Sequence, residues 1–165
     1  MPLLRPLRTT TPIKPLTRTF TTTPRLHHRI YDPVRNPSDL HTLLLTPSPL
    51  LTLWPASWCR TCRTVAPLLR DVLEHPAPNS SLAAPDVPSV GYAEIEIDAP
   101  DMGEVSARYS VRGIPMLLAF RKGEPVTESC VSDARRIAER RFLEEWVVRE
   151  ARRGGGGGGG GLFGL

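Results

Sequence analysis

Two cysteines three positions apart, Cys59 and Cys62, stand where the pattern of the chain changes. Before them runs the apolar stretch Leu50 to Trp54, which reads as a short strand buried on both faces. After them Val65, Leu68, Leu69 and Val72 recur at helical spacing, which predicts a helix from Cys59 to about Leu73. A Cys-x-x-Cys at a strand-to-helix junction points to thiol–disulfide chemistry. Helical residues three apart share a face, with Cβ atoms about 5–6 Å apart. A disulfide accepts Cα separations of about 4.4–6.8 Å. The first cysteine also meets the unpaired N–H groups and the positive dipole end of the helix, which favour thiolate over thiol. Arg60 and Arg63 add positive charge beside it. Cys59 is therefore the candidate nucleophile, and Cys62 the residue that resolves a mixed disulfide.

The competing use of such a pair is a structural zinc site, which needs four ligands. The third cysteine, Cys130, lies far along the chain, and the histidines fall in expected loops or on outer faces, so no metal is expected. Cys130 reads as a buried or half-buried side chain in a strand.

With 165 residues the chain is long enough for one domain with a core. No apolar run approaches the roughly 20 residues of a membrane span, so none is expected. The net charge of +4 is unevenly spread. Residues 1–31 hold six basic residues and no acid, which leaves 15 basic and 17 acidic residues in the remainder. The folded part is thus slightly acidic, and a nucleic-acid role, which needs a basic patch there, is not expected.

Residues 1–30 are Arg-rich, free of acid and full of threonine, and read as a mitochondrial presequence or disordered basic tail, with matrix localisation. Arg18-Thr19-Phe20 resembles the arginine pattern of matrix processing. Five prolines there oppose the amphipathic helix such leaders form. Residues 31–153 form the expected domain. Residues 154–165, with the glycine run and Leu162-Phe163-Gly164-Leu165, are expected to be a disordered tail.

Within the domain, Ser38 or Asp39 is expected to cap a helix through Leu45. Val90 to Ile97 alternates as a strand, and Asp101 is expected to cap a short helix through Tyr109. Met116 to Phe120 reads as an apolar strand, followed across Lys122-Gly123-Glu124 by an antiparallel strand Val126 to Val131. Ser132 or Asp133 is expected to cap one last helix reaching Arg153. The order is an α/β pattern with a central mixed β-sheet flanked by helices.

Over roughly Leu50 to Val148 the chain resembles the thioredoxin family. The matching residues are Trp54-Pro55-Ala56-Ser57-Trp58-Cys59 with Cys62, Ala66-Pro67, Glu96-Ile97-Asp98, Tyr109 to Pro115, and Ala119-Phe120 with Lys122-Gly123-Glu124. The resemblance implies a thioredoxin-like fold. It implies that Pro115 is the cis-proline facing the disulfide, and that Gly113 and Ile114 offer backbone to an extended substrate. It also implies that Trp58 flanks the nucleophile and that Pro67 kinks the active-site helix. Two departures stand out. Arg60-Thr61 replaces the family's usual Gly-Pro, and the arginine is expected to tune Cys59 towards thiolate and make the disulfide more oxidising. Leu53 stands where the family has a buried Asp. Glu94 is a candidate substitute for that carboxylate, with a merely solvated role as the alternative.

The expected function is a thiol–disulfide oxidoreductase acting on protein disulfides, as a monomer and without metal or organic cofactor. An NADPH-dependent thioredoxin reductase or the glutathione system is the partner the resemblance implies. The rival expectation is a thioredoxin-fold binding module with little turnover.

Overall fold

The computed structural model describes residues 28–155. The presequence reading, apart from residues 28–30, and the Leu162–Leu165 tip lie outside these residues. In order the elements are β1 (Arg29–Ile30), α1 (Pro37–Leu44), β2 (Leu50–Trp54), α2 (Arg60–Glu74), a 3-10 turn (Ser81–Ala83), β3 (Gly91–Glu94), α3 (Met102–Arg108), β4 (Met116–Arg121), β5 (Glu124–Val131), α4 (Ala134–Ile137) and α5 (Arg140–Gly155). The five strands form one mixed sheet in the order β1-β3-β2-β4-β5. β1, β3 and β2 run parallel, and β4 is antiparallel to both β2 and β5. Strand β2 is central, and all five of its residues are buried.

The period of two along β2 sorts its side chains into two cores. Leu51 and Leu53 join Tyr92, Leu117 and Ala119 beneath Val65, Leu69 and Val72 of α2 and Leu143, Trp146 and Val147 of α5. Leu50 and Trp54 join Ala93, Ile95, Leu118 and Phe120 against Leu40 of α1 and Met102 and Val105 of α3. Helices on both faces explain why β2 is apolar throughout. Its single polar residue, Thr52, is satisfied. Its hydroxyl donates to the Leu118 carbonyl at 2.7 Å and accepts from the Trp54 indole N–H at 2.8 Å. The sheet therefore holds rigidly the strand end from which the cysteine loop departs.

Several expectations are corrected at element ends. Asn36, not Ser38 or Asp39, caps α1, because Pro37 supplies the fixed φ of the first helical position and Asn36 Oδ1 accepts the Asp39 N–H at 2.9 Å. Arg29–Ile30, assigned above to the leader, is an edge strand registered on Gly91 and Tyr92. Asp101 occupies the N-cap position of α3 at φ 66°, and its side chain makes no cap hydrogen bond. The strand after the β4–β5 turn begins at Glu124 rather than Val126. Lys122 and Gly123 at that turn both take positive φ, as two-residue hairpin loops require.

The last helix is two helices. Asp133 caps α4 by accepting the Arg135 and Arg136 N–H groups, and the chain breaks at Ala138 before α5. The break lets Arg140 turn towards the end of α2, where its guanidinium donates to the Asp71 carboxylate and to the His75 carbonyl. α5 continues through Gly155, so the first glycines of the run are helical. Among the described residues no helix is long and apolar enough to cross a membrane.

Candidate active site

Strand β2 ends at Trp54, and a four-residue approach, Pro55 to Trp58, delivers Cys59 to the start of α2. Cys59 is the N-cap of that helix, in extended conformation, and its Sγ accepts the Cys62 backbone N–H at 3.1 Å. A helix N-terminus leaves such donors unpaired, so a sulfur placed here supplies the acceptor they lack, and the same donors stabilise a thiolate. Cys59 and Cys62 are joined by a disulfide with Cα atoms 5.3 Å apart. Cys59 is 7 % exposed as a residue and Cys62 2 %.

Ala56, Ile97 and Ile114 pack around the disulfide. Ile97 follows β3 and Ile114 precedes β4, so three segments distant in sequence converge here. The Ile114–Pro115 peptide bond is cis, as the resemblance implied, and Pro115 is buried. Gly113 is exposed beside Ile114. A Cβ at Gly113 would sit at ordinary contact distance, 3.9 Å, from Ser132, so its lack of a side chain is not sterically demanded. Trp58 is 69 % exposed and lies outside the cluster that packs on the sulfurs. It therefore presents an apolar surface beside the site.

Arg60 is exposed on the first turn of α2 with no carboxylate partner among the described residues. Glu94 pairs in register with Leu53, so it lies beside the missing carboxylate's position. Its Oε1, however, accepts from Arg70 Nε at 2.7 Å and from the Tyr92 hydroxyl at 3.3 Å. Glu94 is thus neither free in solvent nor aimed alone at a cysteine, and it locks α2 to β3. Leu53 is fully buried in the apolar core.

Sequence reasoning missed Asp98 as a site residue. Its Oδ2 accepts both the Ser57 N–H at 2.9 Å and the Ser57 hydroxyl at 2.5 Å, tying the β3–α3 loop to the approach into Cys59. These bonds from the Ser57 hydroxyl and amide hold the Asp98 carboxyl below the ordinary carboxylate range. A lowered folded-state pKa means the bonds stabilise the fold above the unfolded value and are lost as pH falls through the folded one. Asp98→Asn is therefore expected to be less stable than wild type near neutral pH, with the gap closing below about pH 4. Denaturant midpoints across that range check it, and a gap independent of pH would contradict it.

Cys130 is exposed on β5, contrary to the expectation of burial. Partial shielding by its neighbours pushes its thiol above the ordinary value, so it is a poor second nucleophile. Among the described residues no cluster of His, Cys, Asp or Glu is arranged to hold a metal. Two surface clefts, of about 490 and 700 Å³, lie against α1 and α5, and neither includes a residue from Trp58 to Cys62.

The thioredoxin family profile matches residues 36–140, which is well over half of the chain. The chain belongs to the thioredoxin family. It is 31 % identical over 90 residues to a thioredoxin of Staphylococcus epidermidis, covering 54 % of this chain and 73 % of that one. It is 27 % identical over 96 residues to a protein named as a disulfide-isomerase in Schizosaccharomyces pombe. That match takes in 58 % of this chain and only 17 % of that much longer protein. In fold it is similar to the Malassezia sympodialis thioredoxin, with a TM-score of 0.56 and 14 % identity over 74 % of this chain and 94 % of the other. Thioredoxin-family membership and the Cys59–Cys62 disulfide together support thiol–disulfide oxidoreductase activity.

Proposed function

We propose that this protein reduces or exchanges disulfides in protein substrates through the Cys59–Cys62 couple. The observation that carries the reading is the Cys59 sulfur at the α2 N-terminus, accepting a backbone N–H and bonded to Cys62 beside Ile114 and cis-Pro115. In the dithiol form the Cys59 thiolate attacks one sulfur of a substrate disulfide. A Cys59–substrate disulfide forms, and the other substrate sulfur leaves as a thiolate. Cys62, as thiolate, then attacks the Cys59 sulfur, closes the Cys59–Cys62 disulfide and releases the second substrate thiolate. Two electrons pass from the dithiol to the substrate, which takes up two protons.

Ile114 and Gly113 offer the backbone beside which an extended substrate lies, Trp58 flanks it, and Arg60 favours the Cys59 thiolate. The couple itself is the redox group, so no metal or organic cofactor is required. An NADPH-dependent thioredoxin reductase or glutathione returns the disulfide to the dithiol, and the protein works as a monomer in the mitochondrial matrix. A pure binding module is the less favoured reading, because it gives the paired cysteines nothing to do. Insulin reduction by dithiothreitol tests the choice. Wild type is expected to accelerate it and Cys59→Ser to leave only the background rate. Equal rates for the two would remove the redox reading.

A further inference from the structure

We infer that the surface around the Cys59–Cys62 disulfide selects substrate disulfides flanked by acidic residues. The inference rests on the redox reading above and concerns which protein disulfides that site prefers. Arg60 and Arg63 are exposed on the first turn of α2, and Arg112 is exposed two residues before Ile114. None of the three has an ion-pair partner among the described residues. Some arginines elsewhere are neutralised, whereas Arg29, Arg108, Arg121, Arg135 and Arg136 also have no ion-pair partner among the described residues. Arg35 pairs with Glu96 at 2.8 Å, Arg70 with Glu94 at 2.7 Å, Arg141 with Glu145 at 3.0 Å and Arg152 with Asp86 at 2.8 Å.

The carboxylates near the site are turned to structural work. Asp98 is bonded to Ser57, Glu96 to Arg35, and Asp133 to the first turn of α4. Asp101, which makes no cap bond before α3, and Glu104 on α3 have no such bond partner among the described residues. These cations stand on the two segments that meet at the disulfide, two on the first turn of α2 and one two residues before Ile114, which packs on the cysteines. An extended substrate that presents its sulfur to Cys59 beside Ile114 runs along both segments. Carboxylates flanking its cysteine meet arginines there, whereas lysines meet like charge.

Exposed charges of this kind act mainly on encounter, by about tenfold or more at low ionic strength. They are screened over a distance of about 10 Å at 0.1 M salt. The test uses two peptides that share one intramolecular disulfide and differ only in flanking glutamates or lysines. The full chain reduces them with dithiothreitol as electron source, and kcat/KM is compared. The expected result is a ratio of about ten in favour of the glutamate peptide at low salt, shrinking towards one at about 0.5 M salt. Arg63→Glu with Arg112→Glu is expected to invert the ratio. Equal kcat/KM for both peptides in wild type, or a ratio indifferent to salt and to the double substitution, overturns the inference. If neither peptide is reduced faster than by dithiothreitol alone, the redox reading has failed and the inference falls with it.

Discussion

Cys62→Ser is expected to turn the protein into a trap that forms the first bond with its substrate and cannot release it. Turnover should fall by about a hundredfold or more, while a covalent adduct on Cys59 accumulates. The geometry gives the reason. Cys59 is the more exposed of the two residues, and its Sγ is held by the Cys62 backbone N–H, a contact that a serine side chain leaves in place. Attack on the substrate therefore survives the substitution, but resolution needs a second sulfur, and Cys62 is the one bonded to Cys59. Cys130, exposed on β5 with a thiol raised above its ordinary value, is no replacement. Intact-mass measurement under non-reducing conditions should show the adduct, and dithiothreitol should dissolve it. Full turnover in Cys62→Ser, or no adduct in it, would contradict the assignment of roles.

The second large effect is on stability. Trp146→Ala is expected to cost about 3–5 kcal/mol. Trp146 is fully buried in the core between α5 and the sheet, and its indole N–H donates to the Ser129 carbonyl at 2.9 Å. That carbonyl belongs to an irregular stretch. The pairing of β4 with β5 shifts register between Leu117 and Ala119, and the buried Ser129 hydroxyl donates to the Val126 carbonyl at 2.6 Å and accepts the Ala119 N–H at 2.7 Å. Removing the indole leaves both a cavity and an unpaired buried acceptor. Trp146→Phe keeps most of the volume and loses only the donor, so about 1–3 kcal/mol is expected for it. Denaturant titration separates the two, and a loss below about 1 kcal/mol for Trp146→Ala would contradict the packing described.

The same irregularity explains why Cys130 is exposed although a small apolar side chain in a strand is expected inside. The two registers of β4 with β5 differ by an odd number of residues, so the buried and exposed faces exchange across the bulge. Ser129 is then inside and Cys130 outside. Nothing in the local composition marks this. The break at Ala138 is equally silent, because no Gly or Pro stands there, and it is set by the tertiary bonds of Arg140 to α2.

By contrast, β2, α2 and the cysteine junction were legible because their signals are local. An apolar run, a helical stripe and two cysteines at a fixed spacing each carry their meaning within a few residues. The Ile114–Pro115 turn was legible only through the family resemblance. Asp98 was legible only as the end of a strand, since its partner Ser57 is 41 residues away and the contact exists only once β3 lies beside β2. The short strand Arg29–Ile30 was hidden by the basic character of the residues before it, although its place is set by backbone pairing to Gly91 and Tyr92 rather than by charge.

The central claim is that Cys59 and Cys62 are a working redox couple rather than a structural crosslink. Their reduction potential tests it most directly, measured by equilibrating the full chain in glutathione buffers and trapping free thiols. If Arg60 and the helix N-terminus favour the Cys59 thiolate as proposed, and hence the reduced form, the two-electron transition lies above thioredoxin's value of about −270 mV. A potential below about −300 mV would mark a structural disulfide, and free thiols at every poise would mean no couple at all. Either result would contradict the account.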